Sequence, residues 1–267
     1  MAEPELVVVT GAGSGLGRAL AHEYKAQNKI DYGIGQNAET HEATQQMVGC
    51  NHFHFAVADV ADPAAVRDAF SRIDELNVPL LVLVNNAAIY ETFDILERPA
   101  EDYLRTLAVN TGGMINCAHA ALTRMVTTGR GRILNVASFA DLSPLPSSGA
   151  YSVSKGACRI FTRALVADLS DRFPEIIVND WAPGILATRM GRVDGLDPAT
   201  AAKWGVELAL DMSPDLNGCV FDADREILAP RSLRRRLTDL LTLKPAPRAR
   251  ILTGTGGSGA TLIRDGV

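Results

Sequence analysis

The sequence predicts one α/β domain with helices on both faces of a mostly parallel, doubly wound sheet of about seven strands, a three-layer arrangement. Three observations lead there. Short aliphatic or β-branched runs alternate with longer segments of helical period. Those runs are apolar nearly throughout, as strands covered on both faces are, where a half-exposed strand would alternate. No Pro-, Gly- or Ser-rich linker breaks the alternation before about residue 230, so the 267 residues resolve into one unit of a size common among α/β folds.

In chain order, the strands are expected over 6–10, 30–34, 53–57, 80–84, 133–137, 176–180 and 219–222. Helical period fits 17–27, 64–76, 100–127, 151–172 and 198–211. Successive parallel strands joined through helices require right-handed crossovers. Residues 1–229 form the expected catalytic unit and 230–267 an appended extension. In that extension Leu233, Leu237, Leu240 and Leu241 fall on one face of a peripheral helix, with Arg231 and Arg234–Arg236 on a solvated face. The Gly-rich run from Gly254 lacks the Gly-Lys-Ser/Thr ending of a phosphate-binding P-loop and reads as a flexible tail.

Composition excludes several classes of function. With 47% hydrophobic and 21% charged residues the chain is not intrinsically disordered. A net charge of −5 gives no broad basic field, so no nucleic-acid partner is expected. No apolar stretch approaches the roughly 20 residues that span a bilayer, and the acidic start reads as no secretory leader. Cys50, Cys117, Cys158 and Cys219 are scattered, without CxxC or histidines at ligand spacing. They read as reduced thiols of a cytoplasmic protein that holds no metal.

The first strand runs into Thr10-Gly-Ala-Gly-Ser-Gly-Leu-Gly17. Glycines at a strand-to-helix turn let the backbone approach a pyrophosphate, whose charge then rests at the helix N-terminus. GxGxxG does not fit, because positions 16 and 18 are Leu and Arg; TGxxxGxG does, on Gly11, Gly15 and Gly17. Further on, Asn85-Asn-Ala-Ala88 ends the fourth strand, Asn110 lies in a helical segment, and Ser138 follows the fifth strand. Tyr151-Ser-Val-Ser-Lys155 opens a helix, where a separation of four residues puts both side chains over one site. A free tyrosine titrates near pH 10, so a neighbouring ammonium is what makes a phenolate usable near neutrality.

Taken in this order, these motifs resemble the short-chain dehydrogenase/reductase family in its non-extended branch, from Leu6 to about Asp222. The likeness also takes in Asp59-Val60 after the third strand and Pro183-Gly184 followed by Thr188. It implies a Rossmann fold and an NAD(P)-dependent oxidoreductase interconverting a secondary alcohol and a ketone or related carbonyl. By the same resemblance, Tyr151 is the acid/base, and Lys155 lowers its pKa and binds the nicotinamide ribose. Ser138 polarises the carbonyl, and Asn110 holds a water extending a proton relay from Lys155. The cofactor is expected to meet Gly11, Ser14, Gly15, Leu16 and Gly17, with Asp59 and Val60 touching adenine. Asn86 and Ala87 stand beside it, and Pro183, Gly184, Ile185 and Thr188 hold the carboxamide end. A homodimer or homotetramer is implied as well.

Departures from the pattern bear on specificity. NAD-preferring members place an acid near position 35 to hold the ribose hydroxyls. Here the second strand ends Gly33-Ile-Gly35-Gln36-Asn37, so no carboxylate opposes a 2′-phosphate, although the arginine of many NADP-preferring members is Gln36. The balance tilts to NADP(H) over NAD(H). Ile89, Tyr90, Phe139, Leu142 and Leu145 flank the catalytic motifs and predict a mainly apolar pocket for a small alcohol or carbonyl substrate. Trp181 reads as core. The alternative is a catalytically weak dinucleotide-binding regulatory protein of the same fold, which the presence of both Tyr151 and Lys155 disfavours.

Overall fold

A computed structural model of the chain describes residues 5–228 and 248–255. The strands are β1 (Leu6–Thr10), β2 (Ile30–Gly35), β3 (Phe53–Val57), β4 (Leu80–Asn85), β5 (Arg130–Val136), β6 (Glu175–Ala182), β7 (Val220–Asp222) and β8 (Arg225–Ile227). They form one sheet in the order β3-β2-β1-β4-β5-β6-β7-β8, parallel as far as β7. The sheet has eight strands rather than about seven: β8 returns antiparallel beside β7 through a turn at Ala223. It escapes a search for apolar runs because Arg-Glu-Ile at a sheet edge contains no such run.

Both faces of the sheet are covered. Val7 and Val9 of β1 join Val82, Val84 and Trp181 in one core, whereas Leu6 and Val8 join Leu83, Ile133 and Val178 in the other. Helices α1 (Gly15–Ala26), α2 (Ala38–Val48) and α7 (Pro198–Leu210) lie on the first side. Helices α3 (Pro63–Asp74), α5 (Gly113–Thr128) and α6 (Gly149–Leu169) lie on the second. Trp181 is fully buried, and its Nε1 donates to the Ala223 carbonyl at 2.9 Å, so it is a core residue. Asp62 and Asp197 cap the helices that begin at Pro63 and Pro198, accepting N–H bonds at 2.8 and 3.1 Å.

The long helical stretch expected over 100–127 is divided. Helix α4 (Ala100–Leu107) passes through a π-helical turn at Ala108–Gly112 into α5. Asn110 sits in that turn, a deviation frequent at functional sites. Of the extension expected from residue 230, the amphipathic helix over Leu233–Leu241 positions and the Gly-rich run beyond residue 255 lie outside the described residues. Residues 248–255 rest on the main unit: Ile251 bridges Arg225, Leu252 is buried, and the Glu207 carboxylate accepts the Thr253 and Gly254 N–H groups at 3.0 and 2.6 Å. No helix among the described residues is long and apolar enough to cross a membrane.

Candidate active site

The winding of the sheet reverses between β1 and β4, which opens a crevice at their carboxyl ends. The glycine turn lies there. Gly11 has φ +70°, and its N–H donates to Ile34 at 2.7 Å. The Thr10 hydroxyl accepts the Asn86 and Ala87 N–H groups, both at 2.9 Å, and Asn86 Nδ2 donates to the Thr10 carbonyl at 2.8 Å. A Cβ on Gly11 would press on the Asn86 amide and Ala87 at 3.0 and 3.1 Å, and one on Gly17 would collide with the Gly11 carbonyl. Gly15 has φ +51° and meets the Thr188 methyl. The turn is thus bare backbone ending at the N-terminus of α1, where Ser14 makes no side-chain cap. This cradle fits a dinucleotide pyrophosphate. Leu16 and Val60 differ from the other expected contacts in belonging to the buried cores.

Arg18 locks this turn to α2. Its guanidinium bonds the Gly13 carbonyl, the Thr40 carbonyl at 3.1 Å and the Thr44 hydroxyl at 3.0 Å. At the end of β2, a Cβ on Gly35 would lie 2.8 Å from His41 Cε1 and 3.8 Å from Gly11 Cα, so the His41 ring fills the space beside the cofactor turn. His41 is buried against Phe53 and Phe55. Its Nδ1 lies 2.8 Å from the Asn37 carbonyl, which assigns the hydrogen to that nitrogen. Burial lowers its pKa, so the ring is neutral near pH 7. Asn37 caps α2 through the Thr40 N–H at 2.9 Å, and Gln36 is exposed.

The remaining positions expected to meet a cofactor follow the carboxyl ends of β3 and β6. Asp59 accepts the Ala61 N–H at 2.8 Å, and the buried Val60 packs on Gly113. After β6, Pro183 leads into Gly184 at φ +88°. Ile185 is 62% exposed, and the Thr188 side chain touches the Gly15 position, closing the loop over the turn.

The residues expected to act as acid/base stand on α6. Tyr151 and Lys155 share its inner face, with Lys155 Nζ 5.6 Å from the centre of the Tyr151 ring and donating to the Val136 carbonyl at 2.8 Å. Tyr90 packs on Tyr151, ring centres 4.7 Å apart. Ser138 begins a 3₁₀ turn (Phe139–Asp141), and its hydroxyl accepts the Ala140 N–H at 3.2 Å, keeping its own hydrogen free to donate. Asn110 is buried; its Nδ2 donates to the Ile89 carbonyl and Ser154 hydroxyl at 3.0 and 2.9 Å, and its Oδ1 accepts the Ile89 N–H at 2.8 Å. Both amide hydrogens are spent, which leaves its main-chain carbonyl, facing the Cys158 thiol at 3.4 Å, for any further bond. Leu142 and Leu145, after β5, are exposed, as are Met190 and Val193 in the loop after β6. Arg192 is paired with Asp194 at 2.9 Å.

Behind these residues runs a buried chain that motif reading missed. Asn85 donates to Asn135 at 2.9 Å, Asn135 to the Thr162 hydroxyl at 2.8 Å, and Thr162 to Asp180 at 2.6 Å, crossing β4, β5, α6 and β6. Burial raises the Asp180 pKa to about 6, opposed by the Thr162 bond and by Arg159, Lys155 and Arg163. A carboxyl raised in the fold is neutral there below pH 4, and its ionisation cost grows as pH rises from about 4 to 6 and then levels off. Asp180→Asn keeps an oxygen to accept from Thr162. It is expected to leave stability unchanged at pH 4 and raise it by about 1–3 kcal/mol at pH 7.5. Thermal melts across that range check this, and a gain equal at both pH values would refute it.

Comparison with known proteins places this geometry. Residues 5–197 match the family model described as short chain dehydrogenase. A "Short-chain type dehydrogenase/reductase" of Picea abies is 32% identical over 202 residues, 69% of this chain and 72% of the relative. "Galactitol 2-dehydrogenase (L-tagatose-forming)" of Cereibacter sphaeroides is 32% identical over 208 residues, 77% of this chain and 79% of the relative. The solved structure of serine dehydrogenase from Escherichia coli superposes with a TM-score of 0.71 at 23% identity, covering 81% of this chain and 96% of that one, a likeness of fold. Every residue of the crevice from Gly11 to Thr188 falls inside the matched stretch, so the chain belongs to the short-chain dehydrogenase family of oxidoreductases.

Proposed function

We propose that the protein is an NAD(P)-dependent dehydrogenase/reductase interconverting a secondary alcohol and a ketone, or reducing a related carbonyl, with Tyr151 as acid/base. The observation that carries this reading is that Tyr151 and Lys155 share one face of α6, with Lys155 bonded to the Val136 carbonyl two residues before Ser138. The relative named for oxidising galactitol at carbon 2 to a ketose supports the alcohol class.

A nicotinamide dinucleotide held by the turn supplies or accepts hydride. For reduction, Ser138 donates a hydrogen bond to the carbonyl oxygen, and Tyr151 Oη delivers the proton to it. Lys155 sets a positive charge beside the phenolate that results. Asn110 acts through its main-chain carbonyl, which holds the relay water. Exposed Leu142, Leu145, Met190 and Val193 follow the carboxyl ends of β5 and β6, which favours a substrate with an apolar part. Val153 and Ile160, seven residues apart on α6, are exposed like Leu104 and Ile115, which supports a homo-oligomer joined through these helices.

NADP(H) is the proposed preferred cofactor, because Gly35 offers no carboxylate against a 2′-phosphate. Titration by energy transfer from the protein's tryptophans is expected to show NADPH binding about 2–10-fold tighter than NADH; NADH as the tighter ligand would reverse the assignment. The function itself is tested at 340 nm with both reduced cofactors against ketones and aldehydes, and with both oxidised cofactors against secondary alcohols. Cofactor binding without turnover on any of them would favour a dinucleotide-binding regulatory protein instead.

A further inference from the structure

Arg159 lies on α6 one turn beyond Lys155 and two beyond Tyr151, so the three side chains lie along one face of the helix. It points at the segment that follows β5. Its Nε donates to Asp141 Oδ2 at 2.7 Å and its Nη2 to Asp141 Oδ1 at 3.0 Å, a planar fork on a carboxylate. The same Nη2 donates to the Ser138 main-chain carbonyl at 3.1 Å, and the guanidinium carbon sits 5.6 Å over the Phe139 ring. The pair is withdrawn from solvent, with side-chain exposures of 17% and 8%, against 66% and 72% for Arg192 and Asp194. A shielded, bidentate pair holds geometry as an exposed one does not.

The other hydrogen bonds of this segment explain why the tie matters. Ala140 donates to the Ser138 hydroxyl, and Leu142 and Ser143 donate to the Phe139 carbonyl at 3.0 and 3.1 Å. These bonds give 138–143 its shape without placing it against its neighbours. Among the described residues, the hydrogen bonds from 138–143 to another element run through Arg159. The far end is held separately, by Ser148 bonding Leu145 and facing Ser152 at 3.3 Å.

We infer that Arg159 is a positioning residue, which through Asp141 and the Ser138 carbonyl sets where the Ser138 hydroxyl stands relative to the Tyr151 phenol. The inference rests on the proposed joint action of Ser138 and Tyr151. Arg159 touches neither of the reacting groups: it works by tying the loop that carries one to the helix that carries the other. Lysine could pair with one carboxylate oxygen but cannot fork Asp141 and reach the carbonyl at once.

Hydrogen–deuterium exchange of the protein without cofactor tests the tie directly. In Arg159→Met, the Ala140, Leu142 and Ser143 amides are expected to exchange about 10-fold faster or more, while amides in the middle of α6 keep their rates. Asp141→Asn, close to isosteric, and Arg159→Lys should each give a smaller acceleration in the same amides, because each keeps part of the tie, and the double variant Arg159→Met/Asp141→Asn should not exceed Arg159→Met. Unchanged exchange at these amides in both single variants overturns the inference, as does equal acceleration throughout α6. If Arg159→Met fails to fold, Asp141→Asn decides alone. On the best ketone of the 340 nm panel, both variants should lose about 10–100-fold in kcat with NADPH affinity unchanged. Ser138→Ala separates the two levels: full activity in that variant sinks the proposed mechanism, whereas its loss beside normal kinetics in Arg159→Met and Asp141→Asn sinks the positioning role alone.

Discussion

Replacing Tyr151 with Phe is expected to lower kcat by about 10²–10⁴-fold, the range that a positioned general acid contributes, and to leave NADPH affinity within about twofold. The substitution removes one oxygen and little else. Phe keeps the ring that packs on Tyr90 at 4.7 Å and the aromatic face that Lys155 Nζ approaches at 5.6 Å. Lys155 keeps its bond to the Val136 carbonyl at 2.8 Å, and the Tyr151 carbonyl still accepts the Ser154 hydroxyl at 2.7 Å, because both depend on backbone atoms. The pyrophosphate cradle lies on β1 and α1 and does not involve α6. The loss should therefore fall on the chemical step, visible as a slower single turnover at saturating cofactor. Turnover at the wild-type rate would end the assignment of Tyr151; a matching loss of cofactor affinity would show that the hydroxyl matters to binding.

Much of the scaffold was legible because its strands are buried on both faces. β1 is Leu-Val-Val-Val-Thr with every residue buried, and its four apolar residues alternate between the two cores. Helix α2 was missed for the opposite reason. It turns His41, Thr44 and Val48 inward, so a hydrophobic period sees one position where packing uses three. The π-turn at Asn110 was hidden because one extra residue in a helix hardly disturbs the apolar pattern of 100–127. At the site, Tyr151 and Lys155 could be paired because four residues of helix bring them together. Asp141 and Arg159 are separated by a loop and nearly three turns of helix, and Asn85 and Asn135 meet only because β4 and β5 are neighbours. Such partners become visible once the strand order is known. A faint signal did exist for Arg159, which continues the spacing of Tyr151 and Lys155 by one more turn.

Cofactor choice provides the second large effect, and it depends on a residue that the motif does not contain. The absence of an acid at position 35 reads in the sequence as a missing charge. In the fold it is also a steric condition: a Cβ there would lie 2.8 Å from His41 Cε1, and the ring is held by the Asn37 carbonyl and by Phe53 and Phe55. Gly35→Asp alone should therefore weaken NADH and NADPH alike, because the new side chain displaces His41 and loosens the contact of α2 with β2. Combined with His41→Ala, the carboxylate gains room beside Gly11, where it can accept from ribose hydroxyls and repel a 2′-phosphate. A charged hydrogen bond is worth about 1.5–3 kcal/mol and a like-charge contact costs several. The double variant should thus shift the NADH-to-NADPH affinity ratio toward NADH by about 10²-fold or more. Tryptophan-to-nicotinamide energy transfer measures both affinities on each variant. An equal shift in Gly35→Asp alone would show that His41 is no obstacle, and unchanged NADPH affinity in the double variant would show that position 35 does not face the ribose. Since His41 comes from α2 and Gly35 from β2, the proposed preference would belong to the packing of that helix against the sheet.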